Sequence, residues 1–311
     1  MLQKKKDTIF HVRTEEQLLP FLMQQLNGKS RNSTKSLLAH RQVLVNGAVQ
    51  TRHDTPLKEG DTVTLLAGKG NIELRHPKLK LVYEDEYLLV VEKKQGLLTV
   101  PVNAVSKETT VFSILKAYVK KQNPRNGIYV VHRLDRETSG LLVFAKTPEL
   151  QEYMRTYWKE LVQKRTYVAL AEGSLPKKED TITTWLTEDK RNAVVYSSPV
   201  DDGGDIAITH YKVLRERKVQ SANAQPNNAQ PNNAQPQTIS LLELNLETGR
   251  TNQIRVHLAS IGHPVVGDRK YGHGNIFSPN DRLCLHARVL EFIHPVTEQI
   301  VHFETPIPKD F

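Results

Sequence analysis

Apolar positions change their spacing along the chain, and each spacing predicts a different element. Between Glu15 and Met23 the apolar residues recur at helical intervals, which predicts a short helix. Pro20 falls early in this segment, where the start of a helix tolerates proline. Residues 30–35 are predicted to lead into a second helix that continues to residue 40. The apolar side of the first helix would consist of Leu18, Leu19, Leu22 and Leu26.

Strand signals follow the two helices. Asn46-Gly47 stands between the apolar runs 43–45 and 48–49, and Asn-Gly in that position is a strong hairpin signal. Gly60-Asp61 then opens a predicted strand over residues 62–66. Two small helices, a basic stretch, a hairpin and a Gly-Asp strand resemble the alpha-L RNA-binding fold, which also occurs in ribosomal protein S-four. The alternative is an unrelated small α+β domain.

This resemblance covers residues 14–66, and we therefore predict an alpha-L type RNA-binding domain over residues 1–68. It implies RNA contacts from three basic side chains on the exposed side of the second helix: Arg31, Lys35 and Arg41. Residues 69–80 contain Gly and Pro and predict a linker.

Residues 81–311 are predicted to form a larger domain. Strand-like apolar runs at 87–91, 141–145 and 167–170 are mixed with a few helical stretches. Strands and helices do not alternate regularly, which disfavours a Rossmann fold. We expect an α+β fold, with a mixed, mainly antiparallel sheet and flanking helices.

A five-residue repeat, Asn-Ala-Gln-Pro-Asn, occupies most of residues 220–237. It contains no apolar residue larger than alanine, so it cannot pack a core and is predicted to be a mobile loop. Strand-like segments flank it at 210–214 and 239–246, and in the second of these leucines alternate with polar residues. The repeat is therefore expected at the tip of a long hairpin, without a catalytic role.

Composition adds information about partners and location. The chain has 311 residues and a formal net charge of +9. Residues 1–70 hold 11 Lys and Arg against 6 Asp and Glu, so more than half of the excess lies in less than a quarter of the chain. One interpretation of this charge is binding to a phosphate backbone, and the other is a basic surface that only aids solubility.

The single cysteine, Cys284, excludes an internal disulfide and a cysteine-rich metal site. Together with the absence of a secretory signal or an apolar stretch of membrane-spanning length, this predicts a cytoplasmic protein.

The segment with the most chemistry lies between two apolar strand-like runs. Residues 132–140 read His-Arg-Leu-Asp-Arg-Glu-Thr-Ser-Gly. Asp135 has an arginine on each side in the sequence, Arg133 and Arg136, and positive neighbours favour the ionised carboxylate. Charge alone would favour an interpretation as a structural ion-pair corner.

The same nine residues match the signature of the RluA family of pseudouridine synthases, His-Arg-Leu-Asp-Arg-x-Thr-Ser-Gly, at every fixed position. The resemblance implies that Asp135 is the catalytic aspartate and that Arg133 enters the RNA stack where the target base has left. Residues 164–170 resemble a second family segment, which makes Tyr167 the aromatic residue that stacks on the flipped uracil. A tyrosine in a strand is otherwise more often part of a core.

Residues 248–257 resemble a third family segment, Thr-Gly-Arg-Thr-His-Gln-Ile-Arg-x-His. Ile254 and Leu258 have helical spacing, so Arg255 is expected in the first turns of a helix, on a different face. In the family this arginine pairs with the catalytic aspartate. We count Arg250 and Asn252, with Arg133 and Arg136, among the predicted RNA contacts.

The chain departs from the family pattern at two places. Asn252 replaces the usual histidine, and Lys93-Lys94-Gln95-Gly96 replaces the usual Asn-Lys-Pro-x-Gly. These departures affect the expected details of substrate binding, not the reaction.

The sequence thus predicts an RNA pseudouridine synthase that acts on structured RNA. Large-subunit ribosomal RNA is the favoured substrate and transfer RNA the alternative. A non-catalytic RNA-binding protein and a nucleoside hydrolase that uses Asp135 are the competing functions. No metal-site or phosphate-loop motif can be recognised, so we expect no metal and no cofactor. No segment predicts membrane attachment or an obligate protein partner.

Overall fold

The computed structural model describes residues 7–39, 42–66, 73–101, 108–219, 237–274 and 282–311. The chain divides into two compact units. One comprises residues 1–75 and 114–128, and the other comprises residues 76–113 and 129–311. No helix in the described ranges is both long and apolar enough to cross a membrane.

The first unit contains a four-stranded sheet in the order β1-β6-β3-β4 and a two-stranded sheet, β2-β5. Asn46 and Gly47 both have positive φ, 49° and 80°, so the predicted hairpin with an Asn-Gly turn is confirmed. The elements are β1 (Thr8–His11), β2 (Glu16–Gln17), α1 (Leu18–Gln25), α2 (Arg31–Ala39), β3 (Val43–Val45), β4 (Ala48–Val49), β5 (Pro56–Leu57) and β6 (Thr62–Leu65).

Both predicted helices are present, with one correction. Helix α1 begins at Leu18 and not at Glu15, because Glu16 pairs with Leu57 in the β2-β5 sheet. The helix turns its leucines inward, as its spacing predicts, and they pack with Leu38 of α2 and the strands. Arg31 and Lys35 lie exposed on α2, whereas Arg41 lies outside the described residues.

The second unit is built on one sheet of eleven described strands. The main order is β13-β12-β14-β15-β11-β16-β10-β8-β7, with β17 beside β16 and β9 beside β10. All of its strand pairs are antiparallel except β10-β16, so the predicted α+β fold with a mixed, mainly antiparallel sheet is confirmed. The division between the units after residue 113 falls within helix α3 (Val111–Gln122).

The strands of the second unit are β7 (Leu79–Glu84), β8 (Leu88–Lys93), β9 (Tyr129–Val130), β10 (Ser139–Ala145), β11 (Val162–Glu172), β12 (Glu179–Asp189), β13 (Val194–Ser198), β14 (Asp205–Val219), β15 (Gln237–Leu246), β16 (Leu285–Ile293) and β17 (Ile300–Glu304). Its other helices are α4 (Pro148–Thr156), α5 (Trp158–Leu161) and α6 (Gln253–Ser260). Every residue of β10 is buried, so this strand lies at the centre of the core.

The run at 81–91, of which residues 87–91 are predicted to be a strand, forms a hairpin of β7 and β8. Asp85 breaks the run, because its carboxylate accepts hydrogen bonds from the backbone N–H groups of Tyr87 and Leu88. The segments that flank the repeat, β14 and β15, pair antiparallel as predicted. The repeat itself, residues 220–236, lies outside the described residues.

The parallel pairing of β10 with β16 depends on one glycine. Strand β10 meets β16 at Ser139 and Gly140, which lie opposite His286 and Ala287. Gly140 has a φ of +122°, and a Cβ atom there would lie 2.2 Å from the carbonyl oxygen of Ala287. Only glycine combines this backbone conformation with so close an approach of two main chains.

We expect Gly140→Ala to lower the free energy of unfolding by about 3 kcal/mol, because the strain at positive φ is added to a backbone clash. Gly203→Ala is the matched control, since Gly203 has a φ of +86° with no atom within 4 Å of an added Cβ. The control should cost only about 1 kcal/mol in denaturant unfolding. Equal losses in the two variants would contradict the role of the close approach.

Candidate active site

The segment 132–138 forms a loop that leads into β10, and neighbouring backbone and side chains fix its shape. The Thr99 hydroxyl donates a hydrogen bond to the carbonyl of Leu134 (2.7 Å) and accepts one from its N–H (3.2 Å). The N–H of Gly96 donates to the carbonyl of Arg136 (2.9 Å). Residues 96–99 therefore hold the backbone on both sides of Asp135.

Lys93 supports the same loop from inside the protein. Its side chain is fully buried, and Nζ donates to the carbonyls of Arg136 (2.9 Å) and Lys94 (3.2 Å). Burial lowers the pKa of Lys93 to about 8, although the negative charges of Glu137 and Asp135 partly oppose this effect. Lys93 thus brings a positive charge close to Asp135 at neutral pH.

This shift predicts a pH dependence of stability. The unfolded chain keeps the proton of Lys93 up to its ordinary pKa of 10.5, whereas the folded protein loses it near 8. Between these values the unfolded state binds more protons, so the stability contributed by Lys93 rises with pH. Relative to Lys93→Met, we expect wild type to gain up to about 3 kcal/mol between pH 8 and 10.5 in denaturant unfolding. A difference that stays constant over this window would contradict the shifted titration.

Asp135 is partly open to solvent, with 38% of its side chain exposed. Arg255 reaches it from helix α6, with 4.0 Å between Arg255 Nη1 and Asp135 Oδ2. The main partner of Arg255 is instead Asp268, which it meets through two hydrogen bonds, from Nε (2.7 Å) and Nη2 (2.8 Å). The pairing of Arg255 with Asp135 is therefore a looser contact than expected, because Asp268 already binds one edge of the guanidinium.

Asp268 is well suited to bind the guanidinium of Arg255. It is fully buried, and its carboxylate also accepts hydrogen bonds from the backbone N–H groups of Lys270 and Tyr271. Burial by itself would raise the pKa of Asp268, but the hydrogen bonds and charge of Arg255, with these N–H groups, outweigh it and lower the pKa. Asp268 thus stays ionised and orients the remaining edge of Arg255 toward Asp135.

Asn252 completes the surroundings of Arg255. It adopts a left-handed conformation with φ of 53° immediately before α6, which asparagine tolerates better than most residues. Its Oδ1 accepts a hydrogen bond from Arg255 Nη1 (3.0 Å), and its Nδ2 donates to the hydroxyl of Tyr271 (3.2 Å). The residue that departs from the family pattern therefore supports the arginine directly.

The N-terminal end of α6 is anchored by buried polar contacts. The side-chain oxygen of Gln253 accepts hydrogen bonds from the Thr248 hydroxyl (2.8 Å) and the backbone N–H of Arg250 (3.0 Å). His257 is buried between the hydroxyls of Thr184 and Thr209, and burial lowers its pKa to about 4. These contacts fix the turn 248–252 and the helix that carries Arg255.

Tyr167 comes from β11, and only 7% of it is exposed. Its hydroxyl accepts a hydrogen bond from Arg165 Nη2 (3.3 Å). The absence of a side chain at Gly249 leaves room for this arginine, since an added Cβ would lie 3.0 Å from Arg165 Nη1. The third family segment, residues 248–257, thus packs against the second, residues 164–170.

One cleft of about 1200 Å³ collects most of the predicted site residues. Its lining includes Asp135, Tyr167, Arg255, Arg133, Arg250 and Asn252. Arg136 is not part of the lining, and its exposed guanidinium pairs with Glu108. Arg31 and Lys35 belong to the first unit. Sequence reasoning did not identify Asp268 or Lys93 as part of the site, although Lys93 stands in a segment compared with the family.

Comparison with known proteins agrees with the geometry. The family model described as RNA pseudouridylate synthase matches residues 87–260. The RNA pseudouridine synthase YhcT of Bacillus subtilis is 33% identical, over 88% of this chain and 84% of the relative. Ribosomal large subunit pseudouridine synthase D of Nitrosomonas europaea is 34% identical, over 93% of this chain and 80% of the relative.

A solved structure, the human RNA pseudouridylate synthase domain containing 1, superposes with a TM-score of 0.56. It is 26% identical in sequence, and the match covers 77% of this chain and 86% of the human chain. The family match, the similarity to these relatives over most of their length and the shared fold lead to one conclusion. The chain belongs to the RNA pseudouridylate synthase family and is an isomerase that acts on RNA.

Proposed function

We propose that Asp135 is the catalytic carboxylate of this isomerase and that Tyr167 and Arg255 complete its reacting centre. The observation that carries the proposal is that these side chains, from three distant segments of the chain, line one cleft. Asp135 is open enough to meet a substrate, and Arg255 Nη1 lies 4.0 Å from it. A binding protein would need no such open carboxylate.

The reaction conserves every atom of the uridine. The bond between C1′ of the ribose and N1 of the base breaks, and a bond between C1′ and C5 forms. The proton that leaves C5 is balanced by one that binds at N1, so no oxidant, reductant or co-reactant is consumed. Asp135 would act as a nucleophile or as a base, and both roles require the ionised carboxylate.

The target base must leave its stack before it can enter the cleft, which costs a few kcal/mol. Stacking on the ring of Tyr167 would return about 1–3 kcal/mol. Arg133 is exposed and lines the same cleft, so it can enter the gap that the base leaves. The cleft thus holds groups for both the extruded base and the vacated stack.

For the substrate we propose large-subunit ribosomal RNA, with transfer RNA as the alternative. A relative that matches most of this chain bears the name ribosomal large subunit pseudouridine synthase D. We also propose that residues 1–68 act as an alpha-L type RNA-binding domain. Its second helix presents Arg31 and Lys35 to solvent, where they can meet phosphates.

The full chain should be incubated with separate transcripts of large-subunit ribosomal RNA, small-subunit ribosomal RNA and transfer RNA. Chemical pseudouridine mapping and analysis of released bases would follow. We expect pseudouridine at discrete positions of the large-subunit transcript and no free uracil. Product confined to transfer RNA would reject the proposed substrate. Free uracil would indicate a hydrolase, and binding without product would indicate a non-catalytic RNA-binding protein.

A further inference from the structure

The cleft around Asp135 holds more positive charge than the predicted RNA contacts account for. Its lining contains the cations Arg133, Arg155, Lys159, Arg165, Arg250 and Arg255, against the carboxylates Asp135, Glu188 and Glu247. Three of these cations are neither predicted RNA contacts nor members of the proposed reacting centre. They are Arg155, Lys159 and Arg165, and we refer to them as the basic wall.

The basic wall comes from consecutive elements, α4, α5 and the start of β11. Arg155 and Lys159 are exposed and four residues apart in the sequence, on adjoining helical turns. Gln151 fixes this side of the cleft, because its Nε2 donates a hydrogen bond to the carbonyl of Val130 (2.7 Å), just before the loop that carries Asp135. The two cations are thus held on a helical scaffold that is tied to the catalytic loop.

Arg165 extends the basic wall toward the proposed base-binding residue. Its guanidinium lies over the ring of Trp158 (5.9 Å to the centroid) and donates to the hydroxyl of Tyr167. Trp158 also lies beside His132, with 4.9 Å between the ring centroids. Trp158 thus helps to fix Arg165 beside Tyr167, which also lines the cleft.

The charges of the basic wall are not neutralised by neighbouring acids. Within the described ranges, Arg155, Lys159 and Arg165 make no ion pair with a carboxylate. In contrast, Arg136 and Arg250, near the same loop and cleft, pair with Glu108 and Asp205. Cations that keep their charge in a concave site attract the phosphates of a nucleic acid.

We propose that the basic wall binds backbone phosphates of the RNA strand on one side of the target uridine. This inference rests on the proposed function, because it takes the cleft as the place where the uridine is isomerised. Lysine and arginine contacts to phosphates position a nucleic acid without reading its sequence. The basic wall would therefore hold the flank of the substrate in place without selecting its sequence.

The test uses the full chain with Arg155→Gln and Lys159→Gln combined, and Arg165 is left intact because it contacts Tyr167. The probe is a fragment of large-subunit ribosomal RNA that carries a mapped product site. We expect the RNA affinity to fall about 10-fold at moderate salt with kcat unchanged. The slope of log affinity against log salt should decrease by about 1.4 if both contacts are to single-stranded phosphates.

The matched control is Lys80→Gln with Lys309→Gln, which removes the same charge from exposed positions outside the cleft lining.

Two shortened probes, each trimmed on one side of the target uridine, locate the contact. The double variant and wild type should bind equally to the probe that lacks the contacted flank. The 10-fold difference should persist with the probe that retains it. An equal change of slope in the control variant, or a difference that survives both trimmings, would overturn the proposal. These are binding measurements, so they remain distinct from a failure of the proposed function, in which wild type would make no pseudouridine.

Discussion

Asp135→Asn is expected to lower the rate of pseudouridine formation on the order of 10⁴-fold. The amide has nearly the shape of the carboxylate, so the loop and its hydrogen bonds to Thr99 should be retained. An amide cannot carry the negative charge that a nucleophile or a base needs, and the charge of Arg255 would then have no partner on that side. Single-turnover assays with chemical pseudouridine mapping would measure the loss.

Binding should be much less affected than turnover, because phosphate contacts supply most of the affinity for RNA. Asp201→Asn is the matched control, since Asp201 is exposed and does not line the cleft. We expect it to react at the wild-type rate. Full turnover by Asp135→Asn would remove the proposed role of Asp135, and the family membership of the chain would be unaffected.

Asp268→Asn should have the second largest effect, although Asp268 is not expected to touch the substrate. The substitution leaves Arg255 largely buried, with 13% of its side chain exposed, and without its ionised partner. Loss of one member of a buried ion pair typically costs about 3–5 kcal/mol of stability. We expect kcat to fall on the order of 100-fold, because the edge of Arg255 that faces Asp135 is no longer held in place.

Two measurements separate this positioning role from a general loss of folding. RNA affinity should stay near that of wild type while kcat falls, since Asp268 is fully buried and does not line the cleft. The lowered pKa of Asp268 also predicts a stability contribution that is present above the ordinary aspartate pKa of about 3.9 and lost as pH falls through the folded value. The stability difference between wild type and Asp268→Asn should therefore shrink in acid. A constant difference, or a wild-type kcat, would contradict the role.

Local patterns in the sequence were sufficient for much of the fold. The Asn-Gly turn at residues 46–47, the alternating leucines of β15 and the helical spacing in α6 each depend on a few adjacent residues. Such signals are set by backbone geometry and by one buried face, so they can be predicted without knowledge of distant partners. The motif at 132–140 likewise led to the cleft in which Asp135 lies.

The parts that sequence reasoning missed depend on contacts between distant segments. A lysine pair at 93–94 suggests solvent exposure, yet Lys93 is buried at the end of β8, which lies between β7 and β10 in the sheet. Asp268 follows a glycine in a turn, and nothing in that position shows that it binds Arg255. The division of the run at 81–91 into two strands likewise followed from the hydrogen bonds of Asp85, which apolar periodicity does not reveal.

The position of β10 in the sheet affects how the enzyme is made. The strand leads out of the loop that carries Asp135, and its neighbour β16 begins about 140 residues later in the chain. At a synthesis rate of about 5–20 residues per second, a nascent chain would carry β10 for roughly 7–28 s before that neighbour exists. During this interval a buried, mainly apolar strand lacks its pairing at Ser139 and Gly140 and is exposed to aggregation there. Chaperone occupancy during translation should therefore be greatest between the emergence of β10 and that of β16.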